Sequence, residues 1–104
     1  MSRNDNSSEK VRFIRALAFE IHRKRPAEEA LADCIEREGK GGRHRLWRPA
    51  SVALEADGFV AALRAAELLG DEAAAMLRPV VAGGDHRLLA ATLNALADYL
   101  DTAD

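Results

Sequence analysis

Apolar residues recur every three or four positions along most of the chain, which is the spacing of one face of an α-helix. The clearest stripe lies near the N-terminus and comprises Val11, Ile14, Leu17, Ala18 and Ile21. The same spacing predicts six helices, over about residues 10–24, 26–38, 44–56, 59–69, 71–83 and 86–101. Because only short connections separate them, we predict an all-α fold, a compact six-helix bundle.

Three prolines restrict where these helices begin. Pro26 suits the first turn of a helix, so we expect it to open the second one. We expect Pro49 in the first turn of the third helix, because deeper in a helix proline removes a backbone hydrogen bond. Pro79 falls within the fifth helix, which it is expected to kink near Ala75 or to shorten.

Glycine and aspartate mark the other boundaries. The glycine-rich residues 39–42 are the clearest loop of the chain. Asp71 is placed to cap the fifth helix and Asp85 to cap the sixth, and Gly83 with Gly84 ends the fifth. Each predicted helix therefore has a local signal for at least one of its ends.

The chain has 104 residues, which is the size of one domain. Residues 1–9 are polar and are predicted to be disordered, and residues 10–102 to form a single helical domain. No stretch approaches the roughly 20 apolar residues that span a bilayer, and the N-terminus lacks the apolar core of a secretory signal. Cys34 is the single cysteine, so no internal disulfide can form. These features predict a cytoplasmic protein.

Charge is distributed unevenly along the chain. Residues 1–48 carry 12 Lys and Arg against 8 Asp and Glu, a net +4, whereas residues 49–104 carry 3 against 9, a net −6. The ordinary interpretation is that these are solvated helix faces. The alternative is two oppositely charged surfaces, each suited to a different partner or to a neighbouring copy of the chain.

The reactive side chains form no recognisable catalytic or metal-binding pattern. His22, His44 and His86 are far apart and lack metal-ligand spacing. Cys34 lies on the predicted inward face of the second helix, where a thiol is usually an inert apolar group. Lys40 and its flanking glycines lack the residue order of a phosphate-binding loop. We therefore expect no catalytic, cofactor-binding or metal-ligating residue, and no enzymatic activity.

A basic cluster surrounds the single tryptophan and is the strongest candidate for a binding surface. It comprises Arg37, Lys40, Arg43, His44, Arg45 and Arg48, with Trp47 among them. The residues we predict to contact a partner are Arg43, Arg45, Trp47 and Arg48, together with Tyr99 and Leu100 in the last helix. Clustered Arg and Lys also suit nucleic acid. However, the acidic residues Glu36 and Glu38 lie among these basic residues, and the sequence pI is about 5.9, so nucleic acid is the less favoured partner.

Three groups of landmarks occur in order along residues 11–101. They are Phe13, Arg15, Leu17 and Ala18 followed by Pro26, Ala30 and Leu31; then Gly58, Ala62 and Leu63; then Ala82, Gly83, Leu89, Leu93, Ala97 and Tyr99. Their order and separation resemble the cytoplasmic domain of the F-type platform proteins of type II secretion and type IV pilus systems. The resemblance implies a helical, cofactor-free domain that binds the cytoplasmic assembly ATPase and self-associates as a homodimer.

The chain departs from that family at several positions. A charged run, residues 23–25, replaces the family's glycine before Pro26, and Gly84 and Arg87 stand where the family has a glutamate and a second glycine. The resemblance therefore implies no metal-binding or contact role at Gly84, the position of that glutamate. The membrane helices that flank this domain in platform proteins are absent, so we expect a free-standing relative; the alternative is an excised fragment.

Taken together, the residues predict a non-catalytic adaptor or scaffold that binds other proteins. The first alternative is a small helical nucleic-acid-binding or transcription-linked regulator that uses the basic residues from Arg43 to Arg48. The second alternative is a stand-alone regulator that has the same bundle but is unrelated to secretion.

Overall fold

Nearly all of the described chain is helical. The computed structural model describes the backbone of residues 2–40 and 44–102, and the side chains of residues 9–40 and 47–101. The helices are α1 (Ser2–His22), α2 (Ala27–Glu38), α3 (His44–Asp57), α4 (Phe59–Ala65), α5 (Asp71–Gly83) and α6 (His86–Thr102). No strand occurs in these ranges, and the predicted all-α six-helix bundle is confirmed. None of the described helices combines the length and the apolar character needed to span a bilayer.

The apolar stripe that predicts the first helix lies at the centre of the core. All five of its members are buried, because their helical spacing places them on one face of α1. α1 packs most extensively against α6, which contributes the buried residues Leu89, Ala90, Leu93 and Ala97. At the exposed edge of this pair, the Arg15 guanidinium donates to the Asp98 carboxylate at 2.8 Å. The first and last helices are therefore held side by side.

The four middle helices also contribute buried apolar residues. These are Ala30, Leu31, Cys34 and Ile35 of α2; Trp47 and Ala50 of α3; Phe59, Val60, Ala62 and Leu63 of α4; and Ala74 and Leu77 of α5. α2 contacts α1, α3 and α4, and α5 contacts α4 and α6. No polar or charged side chain is buried in the described part of the chain. Burial of apolar surface is therefore the main source of stability.

Arg25 connects the end of α1 to α2. Its guanidinium donates to the Asp33 carboxylate at 2.5 Å and to the Glu20 carboxylate at 3.2 Å, and Glu29 lies 3.9 Å away. The hydrogen bond to Asp33, and then that to Glu20, raises the pKa of Arg25. Lys24, with a φ of 70°, turns the chain between the two helices. The charged run before Pro26 therefore forms an ion-paired corner.

α4 is shorter than its sequence pattern predicts. The pattern extends to about Leu69, but the helix ends four residues earlier, where Glu67 adopts a left-handed φ of 61°. The Leu68 amide donates to the Leu63 carbonyl and the Glu67 amide to the Arg64 carbonyl, which are the two bonds of a Schellman C-cap. The apolar pattern continues past the helix because Leu68 and Leu69 are both buried.

Two other predicted boundaries differ from the structure, whereas the bounds of α5 agree with the prediction. α1 begins at Ser2, eight residues before its predicted start at residue 10. Pro49 is the sixth residue of α3 and does not lie in its first turn. α5 is not shortened by Pro79 and runs to Gly83. Tertiary packing overrides the local preference of Pro49.

The two predicted aspartate caps have different outcomes. Asp71 is already the first residue of α5, and Gly70 before it is the N-cap, so the prediction for Asp71 is wrong. The prediction for Asp85 agrees with the structure, because its Oδ1 accepts a hydrogen bond from the Leu88 amide at 3.1 Å. Gly84, with a φ of 72°, provides the left-handed residue that ends α5 before this cap.

Candidate protein-binding surface

The residues proposed to bind a partner lie in different surroundings. Arg43 lies outside the described residues, and Arg45 lies in α3 with a side chain outside the described set. On α3, Trp47 is buried and Arg48 is exposed. On α6, Tyr99 is exposed and Leu100 is half-buried against the core. A hollow between α2 and α3 contains Trp47 and Arg48, whereas a groove between α5 and α6 contains Tyr99. The structure therefore separates the candidates into two surfaces.

Trp47 packs inside the bundle. Its ring stacks on that of Phe13, with centroids 4.3 Å apart and planes inclined by 23°. Only 8% of Trp47 is exposed, and Phe13 is also buried. Since Phe13 belongs to α1, this stack connects α3 to the centre of the core, and the indole already has a partner within the chain.

The α2–α3 hollow has a volume of about 700 Å³. Its lining residues are Ala32, Ile35, Glu36, Gly39, Lys40, Trp47, Arg48 and Ser51. The Lys40 Nζ lies 3.5 Å from the Glu36 carboxylate, in an exposed pair that screening makes weak. Arg48 forms no ion pair with another described residue. The described lining therefore carries charges of both signs and does not form a uniformly basic surface.

Cys34 lies at the base of a smaller hollow between α1 and α2, of about 420 Å³. The residue is 3% exposed, and burial raises the pKa of its thiol, an effect that Arg37 opposes. A thiol that stays protonated is a poor nucleophile.

His22 is exposed and His86 is half-buried. Within the described ranges, no group of His, Cys, Asp and Glu is arranged to hold a metal ion.

The α5–α6 groove has a volume of about 690 Å³ and a mainly apolar lining. It is lined by Leu69, Gly70, Asp71, Glu72, Ala73, Met76, Leu77, Thr92, Ala95, Leu96 and Tyr99. Leu69 and Leu77 are buried, whereas 73% of Met76 and 68% of Tyr99 is exposed. These two are the most exposed large apolar side chains in the described part of the molecule. Exposed apolar patches with polar edges are typical of protein-interaction sites.

The groove arises because α5 carries more apolar residues than the core buries. Ala74 and Leu77 are its only fully buried residues, and Val80 and Val81 are half-buried. Met76 lies one position from Leu77, about 100° around the helix, so it is directed away from the centre of the core. The small Ala73 of α5 and Ala95 of α6 leave space between the two helices.

Among the described residues that line the groove, the two charged ones are both acidic. Asp71 and Glu72 lie in the first turn of α5, where a carboxylate interacts favourably with the helix dipole. The Asp71 carboxylate also accepts a hydrogen bond from the guanidinium of Arg64 on α4. Glu72 forms no ion pair with another described residue. The groove therefore combines an apolar floor with one acidic end.

No family model, curated protein or solved structure matches this chain. The resemblance to platform proteins therefore rests on the ordered sequence landmarks.

Two exposed apolar residues, Met76 of α5 and Val52 of α3, had no sequence signal that singled them out. A helical stripe shows which residues share a face, but it does not show which neighbouring helix covers that face. An excess of apolar residues in α5 over the usual one-face pattern was the only available indication.

Proposed function

We propose that this protein is a non-catalytic adaptor that binds another protein through the α5–α6 groove. One observation carries the proposal: Met76 and Tyr99, on different helices, are the most exposed large apolar side chains described, and both line this groove. Aromatic and methionine side chains are enriched at the centres of protein interfaces, where a few anchors supply most of the affinity. Apolar side chains of a bound partner would shield Met76 and Tyr99 from water.

The lining of the groove defines the chemistry of the partner. The partner inserts apolar side chains between Met76 and Tyr99, and it presents a cationic residue to Glu72 at the acidic end. Charge complementarity of this kind sets orientation and speeds association more than it raises affinity. We therefore expect salt to slow binding while most of the affinity remains.

Site-specific photo-crosslinking tests this proposal. A photoreactive phenylalanine analogue replaces Tyr99 in one variant and Phe19 in the control variant. Phe19 is 59% exposed but does not line the groove, so the two positions match in exposure and differ in location. The expected result is a discrete adduct at position 99, identified by mass spectrometry, that is lost when Met76→Glu is added.

Two results would contradict the proposal. Equal adducts at positions 99 and 19 would mean that the groove has no special role. An adduct at position 99 that survives Met76→Glu would mean that the partner does not occupy the apolar floor. Circular dichroism of each variant checks that the helical content is unchanged.

The finer part of the proposal is that the protein is a cytoplasmic relative of the secretion and pilus platform proteins, and that the partner is an assembly ATPase. Its support is the ordered landmarks that include Pro26, Gly58 and Gly83. Titration of a purified assembly ATPase against wild type and Met76→Glu tests this. Saturable binding to wild type that is lost in the variant would support it, and no binding to either would remove this class of partner.

Nucleic-acid binding receives less support from the described residues. Trp47, the aromatic residue within the basic cluster, is buried against Phe13 and offers no exposed ring for a base. Titration with random duplex DNA at low salt decides the matter, because phosphate contacts are strongest there. Tight binding that weakens steeply with added salt would favour the nucleic-acid alternative over the adaptor.

A further inference from the structure

The outer face of α3 is a second exposed apolar surface, with a different shape. The described residues that line a shallow hollow there all belong to α3: Arg48, Pro49, Val52, Ala53, Ala56 and Asp57. Val52 is 58% exposed, and Arg48, Pro49 and Ala56 are exposed as well. We call Arg48, Val52 and Ala56, which are spaced at successive turns of the helix, the α3 ridge.

The α3 ridge and the α5–α6 groove are complementary in spacing. On the ridge, Arg48 and Val52 are four positions apart; in the groove, Glu72 and Met76 of α5 are also four positions apart. Residues four apart on a helix lie one turn apart on the same face. If the two helices lie parallel, Arg48 faces Glu72 and Val52 faces Met76 at the same time.

The two surfaces are also complementary in charge. Arg48 and Glu72 each form no ion pair with another described residue of their own chain, so each charge is available to the other. No basic residue is among the described residues that line the groove. We propose that the partner seated in the α5–α6 groove is the α3 ridge of a second copy of this chain, an inference that rests on the proposed function.

Charge also selects the direction of α3 in the groove. Asp57 lies nine residues after Arg48, which is about 13 Å along a helix at 1.5 Å per residue. The parallel arrangement places Asp57 that far from the acidic end of the groove. The reversed arrangement brings Asp57 towards Asp71 and Glu72, where like charges repel.

The contact joins two different surfaces of the molecule, and we expect one such contact for each pair of copies, which makes it heterologous. Each copy keeps a free ridge or a free groove after pairing, and further copies can add to either end. Self-association is therefore expected to continue past the dimer as concentration rises. This differs from the closed homodimer that the family resemblance implies.

Sedimentation velocity of two variants tests the contact. Val52→Glu disables the ridge and leaves the groove intact, whereas Met76→Glu disables the groove and leaves the ridge intact. Both positions are more than half exposed, so neither change removes core packing. We expect wild type to show a sedimentation coefficient that increases with concentration, and each variant alone to remain monomeric. An equimolar mixture should form a dimer that does not grow, since only one intact ridge and one intact groove can meet.

A charge exchange tests the parallel register. Arg48→Glu alone and Glu72→Arg alone should each weaken self-association by about tenfold, a typical loss for a charge pair opposed by a like charge. The equimolar mixture of these two variants should recover it, because each ridge again meets a groove of opposite charge. Arg87→Glu, a charge reversal at an exposed position near the start of α6 that lines neither surface, is the matched control and should have no effect.

Three outcomes would overturn the inference. In the first, wild type stays monomeric at the highest concentration reached. In the second, the mixture of Val52→Glu and Met76→Glu stays monomeric. In the third, wild type associates but stops at a dimer. None of these contradicts the proposed function. An adduct of position 99 with another protein, lost in Met76→Glu, would preserve the groove as a binding site and replace the second copy as its occupant.

Discussion

The α2–α3 hollow and the α5–α6 groove are nearly equal in size, about 700 and 690 Å³, and each contains an aromatic residue that the sequence suggested for partner binding. In the hollow, Trp47 is 8% exposed and stacks on Phe13. In the groove, Tyr99 is 68% exposed, and Met76, which lines the same groove, is 73% exposed. The difference shows that the exposure of an aromatic ring depends on which helices of its own chain pack over it.

Truncating the two aromatic residues should separate these roles most clearly. We expect Trp47→Ala to lower the free energy of unfolding by about 3–5 kcal/mol, because it removes a buried ring and leaves a cavity against Phe13. Tyr99→Ala should change the free energy of unfolding by no more than about 0.5 kcal/mol. Urea denaturation followed by far-UV circular dichroism measures both. Similar losses in the two variants would show that the two rings do not have different roles.

Two neighbouring residues of α5 allow the same comparison within the groove. Leu77 is 2% exposed and Met76 is 73% exposed, so they separate the floor of the groove from its edge. Leu77→Ala should lower the free energy of unfolding by about 3 kcal/mol, as expected for a buried leucine. Met76→Ala should leave stability within about 0.5 kcal/mol of wild type but weaken adduct formation at position 99. A large stability loss in Met76→Ala would place that residue in the core.

The turn before the groove contains a residue in an unfavourable backbone conformation. Glu67 has a φ of 61°, a left-handed conformation that costs a side-chain-bearing residue about 1 kcal/mol and that glycine adopts freely. Glu67→Gly should therefore raise the free energy of unfolding by about 1 kcal/mol. The matched control is Glu55→Gly within α3, which should lower it by about 1 kcal/mol. Destabilisation by both would show that the left-handed turn imposes no strain.

The smallest expected effect is a pH dependence at Cys34, beside the α1–α2 hollow. Burial raises the pKa of this thiol in the folded protein. Above about pH 8.5 the unfolded chain loses the thiol proton while the folded chain keeps it, so stability falls as pH rises through this range. Below that range the thiol is protonated in both states and contributes no slope.

Cys34→Ala isolates this contribution from other groups that titrate at high pH. The difference in urea midpoint between wild type and Cys34→Ala should shrink from pH 7.5 upward, as the wild type loses stability and the variant does not lose the same amount. A constant difference across this range would mean that the thiol has an ordinary pKa.

Much of the fold was predictable because its signals are local. The spacing of Val11, Ile14 and Leu17 places them on one helix face whatever packs against it, and that face is buried. Asp85 caps the next helix through a bond to an amide three residues away. The end of α4 was harder to predict, because Leu69 continues the apolar pattern from beyond the helix.

The candidate site was predictable only in part. The sequence predicts Tyr99 as a contact, and Tyr99 is exposed in the groove; Met76 has no distinguishing signal in the sequence, yet it lines the same groove. Trp47 was proposed from its basic neighbours, and sequence neighbours say little about a ring that contacts α1. Charge asymmetry was visible in the sequence, but which charges line which surface depends on helix orientation.

By itself, the amino-acid sequence determined that the chain is helical, where most helices begin and end, and that its two halves differ in charge. These properties depend on residues a few positions apart, whose geometry the backbone alone dictates. Only the tertiary structure decided that Trp47 is buried, that Met76 and Tyr99 meet in one groove, and that Val52 is left exposed on α3. Exposure is a property of what lies opposite a side chain, and residues far apart in sequence supply those neighbours.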